Sequence, residues 1–484
     1  MKRKWLSILL AAGMVLSLMA CGGQEQADNS ANESAAEAGN EADGNAAEAG
    51  NKADGNSAEA AVEKSEGKES VELVFCNWGD GTEQKMFEYV FELFEKENPG
   101  VTVKYLYIPY SEYLTKLNTM AASDTMPDLG QMQTENVLLW AENGMYADVS
   151  DLFESGAIAK RLDGNYYAEV DGKFSAANYI SETNVLFYDK DYCEANGVTV
   201  PTKLEDAWTW DEFLDACVKL TKDVNGKHPG EEGFDPENID VYAVADMDAD
   251  VMAHSNGGGY FSEDGKEIWM DKPETIEAIQ AVADLMNVYH VAPTPTSRDA
   301  IGGGNYPLMT GKVAMHVGGQ YCMLWYADYI KSGEINLGTG VLPKFKEPAN
   351  KVWGNPVVVF SSSKHPEEAK ALMQFFYDNK NLIDCINMGL WMPTEEKFYT
   401  DEAALSSWIE DSGIRTEEFY GVVDMAKNGY TAVENILSNT VELSSLYGGL
   451  LDQVWLGEKT AEDVVLNEIM PILQPAFDEY WAAH

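Results

Sequence analysis

Between Val71 and Gln133 short β-rich runs alternate with helical ones, and no other feature of the chain narrows its fold so far. Val71-Glu72-Leu73-Val74-Phe75-Cys76 reads as a strand that ends in the turn-like Asn77-Trp78-Gly79-Asp80-Gly81. Met86, Phe87, Val90, Phe91, Leu93 and Phe94 fall at helical spacing, so a helix is expected from about Thr82 to Asn98, where Asn98-Pro99-Gly100 stops it. Val101 to Ile108 alternates as a second strand, another helix is expected over Tyr110 to Ala122, and Pro127-Asp128-Leu129 opens a third strand. Strands separated by helices build an open, largely parallel sheet, and ligands of such sheets bind beyond the carboxyl ends of the strands. Trp78, Asp80, Gln131 and Gln133 lie at such ends and are candidate ligand contacts.

A chain of 484 residues is too long for one ordinary core, so two lobes or domains are expected. Its formal charge is -48, and loss of Lys2, Arg3 and Lys4 with a leader would take it three further, to -51. A surface so negative repels nucleic acid, anionic lipid and polyanionic substrates, and suits a neutral or cationic ligand.

The amino terminus carries the leader. Lys2-Arg3-Lys4 precedes an apolar run from Trp5 to Met19, and Leu18-Met19-Ala20-Cys21 closes it. That is the layout of a secretory signal peptide, with cleavage expected before Cys21. The four residues resemble the lipobox of bacterial lipoproteins, which implies that the Cys21 sulfur receives a diacylglycerol. Two or more acyl chains anchor stably where one is marginal. From Gly22 to Ser70 the chain is Ala, Glu, Gly, Asn and Ser with almost no large apolar residue, and an eleven-residue unit starting at Ala36 repeats at Ala47. Twelve acids against three bases give it a charge of -9. It reads as an acidic flexible tether, extended beyond the roughly 35 to 42 Å of a neutral chain of its length. After the leader no apolar run is long enough to span a bilayer. With Cys21 assigned to the anchor, Cys76, Cys193, Cys217, Cys322 and Cys385 remain, an odd and widely spaced set that excludes a dense disulfide framework and reads mostly as buried small apolar residues.

Further landmarks follow in order: Pro127-Asp128, Asn143-Gly144 to Asp148-Val149-Ser150, Tyr188-Asp189-Lys190-Asp191, and Thr209-Trp210-Asp211-Glu212-Phe213, which opens a helix. Asp271-Lys272-Pro273-Glu274 caps a long helix reaching Tyr289, and Gly311-Lys312-Val313-Ala314-Met315, Leu342-Pro343-Lys344 and Leu456-Gly457-Glu458-Lys459-Thr460 complete the series. Together these motifs, spread from about residue 71 to residue 470 behind a lipobox and tether, resemble extracellular solute-binding protein family 1, the maltose and multiple-sugar type that serves ABC importers. Two departures stand out: the family's common Tyr-Asn-Lys-Asp reads Tyr188-Asp189-Lys190-Asp191, and the stretch Thr202 to Ala207 is longer than usual.

The resemblance implies an α/β, two-lobed periplasmic-binding-protein-like (type II) fold with a hinge between lobes that are discontinuous in sequence. Residues 71–183 with 355–390 would form one lobe and 184–354 with 391–484 the other, after a signal peptide (1–20) and a lipidated tether (21–70). Crossings are expected near Ser181 to Val185, Trp353 to Val357 and Gly389 to Pro393. The family has no catalytic residues and no cofactor, and closure over ligand is the signal to its partner, the permease. The implied protein is a monomer, lipid-anchored on the outer face of a Gram-positive cell membrane.

Sugar recognition needs aromatic faces against C–H surfaces and planar polar groups at hydroxyl edges. Tyr321, after Val317-Gly318-Gly319-Gln320, matches the family's stacking aromatic, with lobe core as its alternative. Trp78 faces the same choice, while Trp353 and Trp391 flank crossings and either see the cleft or fill the hinge. Glu182 and Asn184 sit on the first crossing. Asp80 either meets ligand or caps the helix after it. Asp246-Met247-Asp248-Ala249-Asp250 begins like a calcium loop, but Val251 and Gly257 stand where Gly and Glu are needed. Asp248 and Asp250 are therefore read as ligand contacts or helix caps. No G-x-S-x-G, P-loop, H-E-x-x-H or C-x-x-C occurs. The rival readings are a surface lipoprotein glycoside hydrolase, for which two suitably spaced carboxylates would suffice, and a binding protein for a non-sugar solute such as a polyamine.

Overall fold

The structure is a computed structural model that describes residues 70–79, 81–162, 167–433 and 436–483. The signal peptide, Cys21, the tether and Asp80 lie outside the described residues.

The first strand runs Val71–Asn77 and pairs in parallel with Val101–Tyr107, from Val71 opposite Val101 to Asn77 opposite Tyr107. On its other side lies Leu129–Gln131, also parallel, and Val357–Val359 closes the sheet antiparallel. Between the first two strands the helix Gly81–Glu97 buries Met86, Phe87, Val90, Phe91 and Phe94, the stripe read from the sequence except for Leu93, which is only half-buried. Phe75 beneath it meets the rings of Phe91 at 5.2 Å and Phe376 at 5.4 Å. Each such buried side chain is worth about 1.5–3 kcal/mol against exposure.

The expected helix Tyr110 to Ala122 begins differently. Tyr110–Glu112 is a tight 3-10 turn set by Pro109 (φ -51°), and the α-helix proper is Tyr113–Ala122. The buried Tyr113 hydroxyl donates to the Gln131 carbonyl at 2.6 Å, which pins that helix to the third strand and leaves Tyr110 at the surface.

A second, larger sheet is centred on Glu182–Asp189, which is buried along almost its whole length. Val313–Gly319, Leu337–Gly340 and Lys351–Trp353 pair antiparallel to it, and Ile239–Ala245 lies beyond Val313–Gly319. The helix Trp210–Leu220 begins where the Thr209-Trp210-Asp211-Glu212-Phe213 motif opens it, on a reciprocal capping box of Thr209 and Glu212. The long helix Pro273–Asn287 starts instead on Pro273 at its first position, with no side-chain cap, and stops before Tyr289. All five described cysteines are buried and free.

Three segments join the two sheets side by side. Trp353 pairs with Glu182, Ser181 bridges to Met392, and Asn178 bridges to Pro356. The connections between the lobes are thus hydrogen-bonded to one another, and each lobe is built from more than one stretch of chain.

Candidate functional site

Beside these crossings lies a cavity of about 330 Å³, within the range usual for small-molecule sites. Tyr110, Gln133, Thr134 and Glu135 line it from the loops beyond the first sheet. Asn184, Gly319 and Tyr321 line it from the second sheet and the turn after it, and Lys351, Trp353 and Asn355 from the second crossing, with Ala432 completing the wall.

Tyr321 is the most constrained of the aromatics. Its ring folds back over Gly319, where a Cβ would lie 2.1 Å from a ring carbon, so only glycine permits this attitude. Trp325 meets it edge-on at 6.1 Å. Tyr321 also lines a second hollow of about 610 Å³ with Asp246, Asn305 and His316. A third, of about 600 Å³, lies past Trp325 and Tyr306 and takes Thr82 and Glu83 from the first lobe.

Beneath the cavity the charges are paired. The Lys351 ammonium sits 2.8 Å from Asp248 Oδ2, which also accepts from Asn184 Nδ2 at 3.3 Å. The other Asp248 oxygen caps the helix Ala249–Ser255 by accepting from the Asp250 and Val251 amides. Burial works to raise the Asp248 pKa, but Lys351, the Val251 amide and Asn184 hold it below the ordinary carboxylate value. One aspartate therefore caps a helix and fixes both a lysine and an amide at the cavity wall.

Of the residues singled out from sequence, Gln133, Asn184, Tyr321 and Trp353 line this cavity. Gln133 Nε2 donates to the Tyr110 carbonyl at 3.1 Å. Trp78 is half-buried and stands edge-on to Tyr110 at 5.4 Å, supporting it from behind. Gln131 is buried with its Oε1 taken by the Tyr179 hydroxyl at 2.8 Å. Asp250 accepts from the Tyr260 amide at 2.8 Å and the Tyr430 hydroxyl at 3.2 Å. Trp391 is 1% exposed, packed on Phe87 and Tyr179 in the first lobe. Glu182 is 2% exposed and accepts from the Tyr321 amide at 3.2 Å. Burial raises its carboxyl well above the ordinary value, against the Tyr321 N–H and Arg415, which lower it.

Tyr110, Thr134, Glu135, Gly319, Lys351, Asn355 and Ala432 escaped the sequence reading. For two of them a signal existed: Lys351 and Asn355 stand two residues either side of Trp353, the spacing that puts extended-chain side chains on one face. Among the described residues no group of three or more His, Cys, Asp or Glu is placed to hold a metal ion, and no helix is long and apolar enough to cross a membrane.

Two α/β lobes, three paired crossings and an aromatic-and-amide cavity beside them define a hinged binding protein of the type II periplasmic class. Residues 78–382 match the family model described as bacterial extracellular solute-binding protein, and this chain belongs to that family. It is 24% identical over 395 residues to a putative binding protein of Brucella abortus, covering 79% of this chain and 90% of that one. Against the putative ABC transporter periplasmic-binding protein YcjN of Escherichia coli it is 25% identical, covering 73% and 79%. Among solved structures, an ABC substrate-binding protein of Listeria monocytogenes in complex with cycloalternan superposes with a TM-score of 0.69 at 21% identity, covering 86% of this chain and 99% of the other. The GacH receptor of Streptomyces glaucescens, solved unliganded and with acarbose, gives 0.67 at 18% identity, covering 85% and 100%. The protein is an extracellular solute-binding protein of the ABC-importer type.

Proposed function

We propose that this protein captures a neutral sugar, an oligosaccharide, by closing its lobes about the three crossings, and delivers it intact to an ABC importer permease. The lobes are taken as residues 71–183 with 355–390 and 184–354 with 391–484, and the anchor as a diacylated Cys21 on the outer face of the cell membrane. The observation that carries this reading is the composition of the cavity wall: Tyr110, Tyr321 and Trp353 offer ring faces, and Gln133, Asn184 and Asn355 offer amide edges. That is the pairing a pyranose demands, C–H faces on aromatics and hydroxyls on planar polar groups. Relatives whose names or titles give maltotriose, maltodextrin or cycloalternan as ligand support the same class. A polyamine remains the alternative cargo: Lys351 on the cavity wall is answered by Asp248, and Glu135 on the same wall is the group a cation would seek. A binding role without turnover accords with the family, whose members are named as binding proteins.

A thermal-shift screen of the chain from about residue 68 onward against mono- and oligosaccharides and polyamines, followed by calorimetry and product analysis, tests the reading. A saccharide that raises the melting temperature and is recovered intact supports it. A saccharide recovered cleaved favours a hydrolase, and stabilisation by polyamines alone overturns the sugar. For the anchor, metabolic labelling with palmitate should mark the wild-type chain and fail on Cys21→Ser.

A further inference from the structure

Glu182 sits on the first crossing but lines neither the cavity nor the two hollows beside it. Among the described residues its carboxyl accepts one hydrogen bond, from the Tyr321 amide at 3.2 Å, and forms no ion pair. Arg415, the charge that acts on it most strongly, gives Nη1 and Nη2 to the carbonyls of Ile386, Trp408 and Trp391 at 2.9 to 3.1 Å. A carboxyl group buried with so little pairing is costly, and what it gives in return is a fixed backbone at Tyr321.

The neighbouring residue is tied in the same way. Gln320 is fully buried, and its Nε2 donates to the Gly389 carbonyl at 2.8 Å on the third crossing. Gly389 has a φ of 106°, and a Cβ there would come within 3.1 Å of the Leu324 amide. The turn Gln320–Cys322 is thus pressed against the third crossing and hydrogen-bonded to the first, while Trp353 on the second pairs with Glu182 itself.

We propose that Glu182 is a positioning residue: with Gln320 it ties the turn bearing Tyr321 to the crossings, so that lobe closure and the attitude of the Tyr321 ring toward ligand are set together. This rests on the reading of Tyr321 as a ligand platform. Glu182 then acts on affinity through Tyr321 and not by touching the solute.

Two measurements decide it. The first needs no ligand: 3-fluorotyrosine is incorporated at position 321 and its fluorine resonance recorded in wild type, Glu182→Ala and Glu182→Gln. Glu182→Ala should shift or broaden the line, and Glu182→Gln, which keeps an oxygen for the Tyr321 amide, should restore it. The second is a double-mutant cycle with maltotetraose. Glu182→Ala should weaken binding about tenfold, Glu182→Gln should recover most of that, and in a Tyr321→Ala background Glu182→Ala should cost less than about twofold more. Additive losses would mean that Glu182 meets the sugar directly and would overturn the proposal. An unchanged fluorine line in Glu182→Ala overturns it too, whatever the ligand. If wild type ignores maltotetraose, the sugar reading suffers and the fluorine line alone judges Glu182. Circular dichroism of each variant separates a lost anchor from a lost fold.

Discussion

The second and third crossings each carry a tryptophan, and their surroundings differ. Trp353 is half-buried beside the cavity at the end of the strand Lys351–Trp353, and Lys351 and Asn355, two residues either side of it, share that wall. Trp391 is 1% exposed, with Phe87 at 5.3 Å and Tyr179 at 5.5 Å, both edge-on. The neighbouring strands explain the difference. Trp353 pairs with Glu182 in a strand held on its other side by Tyr430–Thr431, and the Lys351 ammonium lies 5.7 Å from its ring centroid, whereas Trp391 packs against Phe87 of the Phe-rich helix Gly81–Glu97.

The widest separation of the two should come from truncating each. Trp391→Ala should cost about 3–5 kcal/mol of stability, the range for a large aromatic removed from a packed core. Urea unfolding followed by fluorescence and circular dichroism would read it, and a loss below about 1 kcal/mol would mean that Trp391 is not the core element described here. Trp353→Ala should leave stability nearly intact and weaken sugar binding by about 1–3 kcal/mol, read by calorimetry. Tyr321→Ala should behave in the same way. Unchanged affinity in the folded variant would remove either residue from the site.

A smaller effect concerns the carboxyl between them. Because burial raises the Glu182 pKa, the folded chain holds that proton more tightly than the unfolded one. Its contribution to stability is then full below the ordinary carboxyl range and is lost as pH rises through the raised value. Melting temperatures of wild type and Glu182→Gln should diverge as pH increases, with wild type losing ground. The charged and titratable groups that act on this carboxyl electrostatically are Arg415, Glu83, Tyr179, Tyr321, Cys322 and Tyr399. Parallel curves from roughly pH 5 to roughly pH 9 would show that Glu182 does not titrate in that window.

How much of this was legible in the sequence follows from how local each signal is. The strand Val71–Asn77, the helix after it and the helix opened by Thr209 declare themselves within a few residues, and the structure has them where the sequence put them. The order of motifs carried the two-lobed fold, a likeness of many weak signals. Which way a side chain faces is not local. Trp353 and Trp391 flank crossings alike, and only the packing of a helix some 300 residues earlier in the chain sends one inward. Gln131 and Gln133 share a strand-end pattern, yet the strand stops at Gln131, whose amide is taken by Tyr179, and the turn that follows swings Gln133 to the cavity. Tyr110 was hidden by its reading as helix. Lys351 needed the spacing from Trp353, and its charge draws the eye away from a sugar wall.

Trp78 is the intermediate case and carries the smallest expected effect. It neither lines the cavity nor lies in the core; it stands edge-on to Tyr110 at 5.4 Å and to Tyr113 at 5.1 Å. Tyr110 is 55% exposed, and its ring is held by that edge contact and by its hydroxyl's interaction with Glu135. Edge-to-face pairs are worth about 0.5–1.5 kcal/mol beyond their area, so Trp78→Leu should weaken sugar binding by less than that. In a Tyr110→Ala background the same change should cost nothing further, as expected of a residue that acts through another. A full-sized loss of affinity in Trp78→Leu, persisting without Tyr110, would move Trp78 from the support of the first lobe's wall into the wall itself, and make it a counterpart of Trp353 across the cleft.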